Sequence, residues 1–283
     1  MGVFITRVVK LRGFEALKQH SIIDTLNGLC RDEPLSVHCY AVYYLTYEPE
    51  RTDITLLASN NDVRAYALVR YGGRFTIEDV YEVYLWNPVK EVVREVSISP
   101  DKRADIQLQD SISNNDVEVV TERFKELGFR RFNIEEFHDM VCTRNTFKPS
   151  PLEGLAVKLR EEHAPLYRDL EVERGIELSI GEARKILKAY THYGVIVDNV
   201  LASIAARYVT LPYLHVVGGV FTRREYRGRG YAKAVVSALT REAVDSRATA
   251  GLHAEVGNEP AIRVYRSLGY EVVRTRTWIF AHP

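Results

Sequence analysis

The stretch from Val217 to Lys233 allows few folds. Residues 217–222 form an apolar run with β-branched residues, which reads as a buried strand. A charged turn follows at Arg223, Arg224 and Glu225, and then come Gly228 and Gly230, one residue apart. Beyond Tyr231, the residues Ala232, Val235, Val236 and Leu239 share one face at helical spacing. The order is strand, glycine turn, helix. The first N–H groups of a helix have no partner within it, and glycines let another molecule come close to them. Such a turn is an anion site suited to a pyrophosphate. It is not a P-loop, because no Lys-Ser/Thr pair follows Gly230, and it lacks the third glycine of a dinucleotide fingerprint.

The chain of 283 residues is long enough for two domains. Lysine plus arginine equals aspartate plus glutamate at 38 each, so the formal charge is zero and nucleic acid is a poor candidate partner. No apolar run is long enough to span a bilayer, and the N-terminus has no signal-peptide pattern. Cys30, Cys39 and Cys142 form no close pair and are odd in number, so buried free thiols are expected. These features together predict a cytoplasmic protein without a membrane partner.

The pattern predicts helices over 14–30, 34–45, 89–96 and 117–127, strands over 54–58, 63–70, 80–85 and 104–108, and one or two closing strands over 129–142. Asn60, Asn61 and Asp62 signal a hairpin. Pro149, Pro151 and Gly154 punctuate the best boundary, giving domains 1–148 and 149–283. Beyond it, helices are expected over 157–170 and from Ser179 to about Tyr190, the second opened by a Ser179/Glu182 capping box. A hairpin turns at Asp198 and Asn199, a strand covers 250–256, a helix covers 258–269, and one or two strands close the chain.

The two halves repeat an order of elements and some wording. Residues 61–71 parallel 198–208, and 124–129 (FKELGF) parallel 265–270 (YRSLGY). The first half has Leu85, Trp86, Asn87, Pro88 and Val89 where the second has its glycine turn, so a cofactor site there is expected to be lost.

The pattern Arg227-Gly228-Arg229-Gly230-Tyr231-Ala232 fits Arg/Gln-x-x-Gly-x-Gly/Ala. Downstream, Asn258 is followed by Ala261, by Tyr265 and by Gly269-Tyr270. Asn258 and Tyr265 lie two helical turns apart and share a face. Both motifs, in this order with a strand between them, resemble the CoA-binding motifs of the GNAT acyltransferase superfamily over residues 175 to 281. The run from Tyr226 to Ala232, the two-domain layout and Trp278 also resemble the glycine N-acyltransferase-like branch.

The resemblance implies an α/β (α+β) chain of tandem acyl-CoA N-acyltransferase folds. Each has a mixed, mostly antiparallel sheet flanked by helices, and the N-terminal copy is degenerate. It implies acetyl-CoA or another acyl-CoA as co-substrate and no metal. The backbone of Val220, Phe221 and Thr222 would run along the pantetheine arm. The N–H groups from Gly228 through Arg229, Gly230, Tyr231 and Ala232 to Lys233 would hold the pyrophosphate. Arg223, Arg224 and Arg229 flank the loop and would either pair with the cofactor phosphates or only form a solvated charged rim. Asn258 would contact the arm, and Tyr265 would protonate the departing thiolate. A base must also leave the amine neutral. His253, Glu255 and His215 are candidates, and a water chain is the alternative. The expected function is direct transfer from acyl-CoA to a primary amine of a small molecule or peptide, by a monomer with an internal pseudo-dimer or by a homodimer. The alternative is a catalytically inactive CoA-binding regulatory or scaffolding protein.

Overall fold

The computed structural model describes residues 6–59, 62–72, 80–109 and 114–283. They form two compact units. The first takes the described residues up to Gly72, those from Val80 to His138, and Arg274–Pro283; the second takes Asp139–Val273. The division therefore differs from the one expected at 148/149. The proline loop is not a linker: the Ser150 N–H donates to Ser237 Oγ at 2.9 Å, and Glu153 pairs with Arg241. It is tied down inside the second unit. Among the described residues, the chain passes from one unit to the other within two 12-residue strands, β6 (Arg131–Cys142) and β12 (Glu271–His282).

In chain order, the first unit contains β1 (Thr6–Arg12), α1 (Gly13–Leu17), α2 (His20–Asp32), α3 (Val37–Tyr47), β2 (Thr52–Ser59), β3 (Asp62–Tyr71), β4 (Tyr81–Trp86), α4 (Lys90–Val93), β5 (Ala104–Leu108) and α5 (Asn114–Glu126). Its strand order is β1-β2-β3-β4-β5-β12-β6. β4 and β5 are parallel, whereas the β1–β2, β2–β3, β3–β4 and β5–β12 pairs are antiparallel. Pairing with β5 uses Trp278–Ala281, which is why the last residues belong to this unit. β1 escaped the sequence reading. The expected 14–30 helix breaks at Lys18 and Gln19.

The thiols need a larger correction. Cys30 and Cys39 form a disulfide, and Cys142 alone is free and buried. The loop after α2 starts α3 beside the end of α2, which brings the two Cα atoms to 4.8 Å, within the range a disulfide needs. Disulfides are rare in cytosolic proteins, so cysteine usage no longer argues for a reducing compartment. Among the described residues, no helix is long and apolar enough to cross a membrane.

The second unit contains β7 (Ala156–Lys158), α6 (Ala164–Glu173), α7 (Ile180–Ala189), β8 (Thr191–Val197), β9 (Val200–Leu211), β10 (Leu214–Thr222), α8 (Tyr231–Asp245), β11 (Thr249–Glu255) and α9 (Glu259–Ser267). Its order is β6-β11-β10-β9-β8-β7, with β10 and β11 parallel and the β7–β8, β8–β9 and β9–β10 pairs antiparallel. The helix expected over 157–170 is instead β7, a 3-10 turn and α6. Pro165 sits in the first turn of α6, where its missing N–H costs nothing. Ser179 caps α7 as expected, with both bonds of the capping box formed. Asp198 and Asn199 both have positive φ, 48° and 61°, and join β8 to β9 in a tight hairpin. The turn at residues 60 and 61 lies outside the described residues, although Ser59 pairs with Asp62 beside it.

One core packs α8 and α9 against Val217, Ala250, Leu252, Ala254 and Met140; another lies under α6 and α7 against Leu201 and Ile204. The repeat is visible in the helix ends. After α5 the Phe129 N–H donates to the Phe124 carbonyl at 3.0 Å, and after α9 the Tyr270 N–H donates to the Tyr265 carbonyl at 3.1 Å. The two turns need left-handed glycines, Gly128 at φ 101° and Gly269 at φ 91°. In both, the ring pair closes against itself, at 5.5 Å for Phe124 and Phe129 and 6.1 Å for Tyr265 and Tyr270.

Candidate functional site

The second unit's two parallel strands separate. β10 pairs with β11 only at Leu214, His215 and Val216, and the last pair is Val216 with Gly251. β10 then runs on for six more residues to Thr222. On its other side it stays with β9, through register shifts between Val216 and Val217 and between Gly218 and Phe221. Gly219 takes φ 61° at the second shift. Ser203 of β9 holds the far end in place. Its hydroxyl lies 3.0 Å from the Phe221 carbonyl, to which it donates, and 2.8 Å from Thr222 Oγ1. The β11 side of residues 217–222 thus faces a gap, and backbone groups bordering a gap need partners.

The gap leads to the glycine turn. Gly228 and Gly230 have φ 77° and 79°, which favour glycine, and Gly230 is the N-cap of α8. The first intrahelical bond runs from the Ala234 N–H to the Gly230 carbonyl, 3.0 Å. The N–H groups of Tyr231, Ala232 and Lys233 precede it in the ladder and point out of the helix end. A Cβ on Gly228 would meet nothing within 4 Å, so the turn is open there. These features fit a pyrophosphate with an amide-bearing arm lying along β10.

The arginines divide. Arg223 is held by Glu173 and donates to the Leu201 carbonyl at 2.9 Å, so it braces β10 from the α6 side. Arg227 Nε donates to the Thr222 carbonyl at 3.1 Å, closing the turn. Arg229 donates to the Glu225 carbonyl at 3.3 Å and lies over the Tyr226 ring.

Asn258 caps α9, its Oδ1 accepting from the Ala261 N–H at 3.3 Å. Tyr265, two turns on, is 7% exposed and packs in the core with Leu252 and Ala254. Burial pushes its phenol up to about 12. Alternation along β11 turns His253 and Glu255 to the other face. Glu255 is exposed at the strand's end. The His253 side chain is 5% exposed, and its Nδ1 lies 2.7 Å from Oδ1 of Asp139, which is fully buried on β6. His215 is set apart, in the part of β10 still paired to β11. Burial, and then the Arg207 guanidinium beside it, lower it to about 4. Sequence reading did not find Asp139 or Ser203. Neither belongs to a local motif.

The first unit handles the corresponding place differently. β4 and β5 stay paired from Tyr81 with Ala104 to Leu85 with Leu108, and the Gln109 N–H continues the ladder to the Leu85 carbonyl at 3.1 Å. The strand ends at Trp86, the side chain of the next residue, Asn87, donates to the Arg64 carbonyl at 2.9 Å, and α4 has only four residues. There is no gap and no glycine turn there.

Residues 192–279 match the family model described as FR47-like protein. No curated protein matches the sequence. Among solved structures, a Drosophila protein is 13% identical over 98% of each chain, with a TM-score of 0.71. A GCN5-related N-acetyltransferase-like protein from Streptococcus suis is 14% identical over 92% of this chain and 99% of that one, with a TM-score of 0.59. A tandem GNAT protein from the clavulanic acid biosynthesis pathway is 14% identical over 98% of each chain, with a TM-score of 0.56. At such identities the likeness speaks to the fold. With the FR47-like match over residues 192–279, it makes this chain a two-unit protein of the GNAT fold.

Proposed function

We propose that the second unit is an N-acyltransferase that passes an acyl group, most simply acetyl, from acyl-CoA to a primary amine of a small molecule or peptide. The observation that carries this is the gap between β10 and β11 opening onto the left-handed glycine turn of α8. An amide-bearing arm takes the place of a missing strand along Val220, Phe221 and Thr222, as a peptide does at a sheet edge. The N–H groups from Gly228 to Lys233 take the pyrophosphate. Asn258 keeps its side-chain N–H2 for a carbonyl of the arm, since its oxygen is used in the cap. The first unit, with its strands still paired, is a degenerate copy without a second site.

His253 and Tyr265 lie toward opposite faces of β11. This arrangement lets the amine enter from one face while the thiol leaves on the other. The ammonium loses a proton to the base, and the neutral nitrogen attacks the thioester carbon. The C–N bond forms and the C–S bond breaks, with its electron pair staying on sulfur. A backbone N–H at the gap stabilises the oxyanion. Tyr265 gives its proton to the sulfur and regains one as the new amide nitrogen loses its second. A phenol near 12 is a weak donor to a thiolate on its own, so this transfer is concerted with loss of the amide proton. Alignment of amine and thioester supplies much of the rate.

Thiol release from acetyl-CoA with glycine, spermidine and a lysine-containing tetrapeptide tests the reading. Turnover with any of them supports it. Tight CoA binding with no turnover across the panel would favour a non-catalytic CoA-binding protein. Tyr265→Phe is expected to lower kcat about 100-fold, the lower end for a lost general acid, with CoA affinity changed less than about twofold. Turnover at the wild-type rate would remove the acid role from this phenol.

A further inference from the structure

We infer that Asp139 is a positioning residue for His253: it holds the imidazole in the tautomer that leaves Nε2 basic toward the acceptor amine. This rests on the reading of the second unit as an acyltransferase. The two residues are 114 apart in sequence yet lie on one face of neighbouring strands, Nδ1 to Oδ1, 2.7 Å. Met140 and Cys142, on the other face of β6, join the core with Leu252 and Ala254, which fixes the side on which Asp139 stands. A carboxylate with no exposed surface needs donors close by, because an uncompensated buried charge is costly. A carboxylate oxygen only accepts, so the Nδ1 facing it carries the hydrogen. In the neutral ring, the form that can act as a base, Nε2 then holds the lone pair. The proton that must leave the acceptor ammonium goes to that lone pair, giving a cationic imidazolium that the adjacent carboxylate stabilises. His253 returns the proton to solvent after the acyl group has moved.

A purely structural pair would make the same contact but would leave catalysis alone. Nitrogen NMR of the full chain, labelled at histidine, separates the two. The wild type is expected to show His253 as the Nδ1–H tautomer. Asp139→Asn offers an amide donor to Nδ1 and is expected to move His253 toward Nε2–H. With acetyl-CoA and the amine panel above, the same variant is expected to lose about 100-fold in kcat, the lower end for a general base, with CoA affinity unchanged. Asp139→Glu is expected to recover part of that loss. A wild-type Nε2–H tautomer overturns the proposal whether or not the variant folds. So does an Asp139→Asn enzyme with wild-type kcat, and that result leaves the acyltransferase reading intact. Absence of turnover in the wild type with every amine overturns both.

Discussion

Gly230→Val is expected to abolish measurable CoA binding while the rest of the fold survives. Gly230 sits at φ 79° as N-cap of α8. A non-glycine residue in the left-handed region costs about 1–2 kcal/mol, and a β-branched one is worse. A Cβ there would also come within 3.0 Å of Leu152 Cδ1, the end of a side chain that can shift. The turn relieves the strain by rotating, which swings the N–H groups of Tyr231 to Lys233 away from a common point. Hydrogen bonds to a charged group are each worth about 1.5–3 kcal/mol. Losing two of them costs at least about 100-fold in affinity. Gly228 makes a useful contrast. Its φ of 77° carries the same conformational strain, but a Cβ there meets nothing within 4 Å. Gly228→Ala should therefore weaken binding less than Gly230→Val. Calorimetry with CoA, with circular dichroism as the check on folding, reads both. Unchanged affinity in Gly230→Val would remove the glycine turn from the site.

Acid is expected to destabilise the protein steeply between pH 6.5 and 4. His38, His192 and His215 are all buried. Burial lowers each to about 4, helped at His38 by Arg274 and at His215 by Arg207; at His192 a bond from the ring to the Tyr190 carbonyl opposes it. Unfolded, each would titrate near 6.5. Above that pH both states are neutral and the histidines contribute no pH dependence. As pH falls from 6.5 to 4, the unfolded chain takes up protons that the native state refuses, so stability drops. One proton gives about 1.4 kcal/mol per pH unit, and three give up to about 4 kcal/mol per unit in the middle of the window. Glu171, raised mainly by burial, works the other way, because the native state protonates it first. Urea midpoints at pH 7.5, 6 and 5 measure the balance. A midpoint that stays level over this range would contradict the burial of these imidazoles.

What was legible in the sequence was local. The glycine turn, the Ser179 capping box, the Asp198–Asn199 hairpin and the helix expected over 258–269 each rest on residues at fixed short spacings, and each forms. Repeated wording at 124–129 and 265–270 became two helix ends with the same hydrogen bond and the same left-handed glycine. Less legible was whatever depends on residues far apart. Pro149 and Pro151 look like a linker until Ser150 and Glu153 are seen tied to α8. The C-terminal strand gives its last residues to β5, more than 170 positions earlier, and no spacing announces that. Cys30 and Cys39 looked unpaired because the turn that joins them depends on how α3 starts beside α2. Asp139 carries no motif at all; only the neighbouring strand shows why a carboxylate is buried there.

The central claim is that the chain holds one acyl-CoA site, in the second unit, because among the described residues only there do the parallel strands part above a glycine turn. Calorimetric titration of the full chain with CoA tests it most directly. The account predicts one CoA bound per chain, displaced by acetyl-CoA and lost in Gly230→Val. Two equivalents per chain, or one that persists in Gly230→Val, would contradict it.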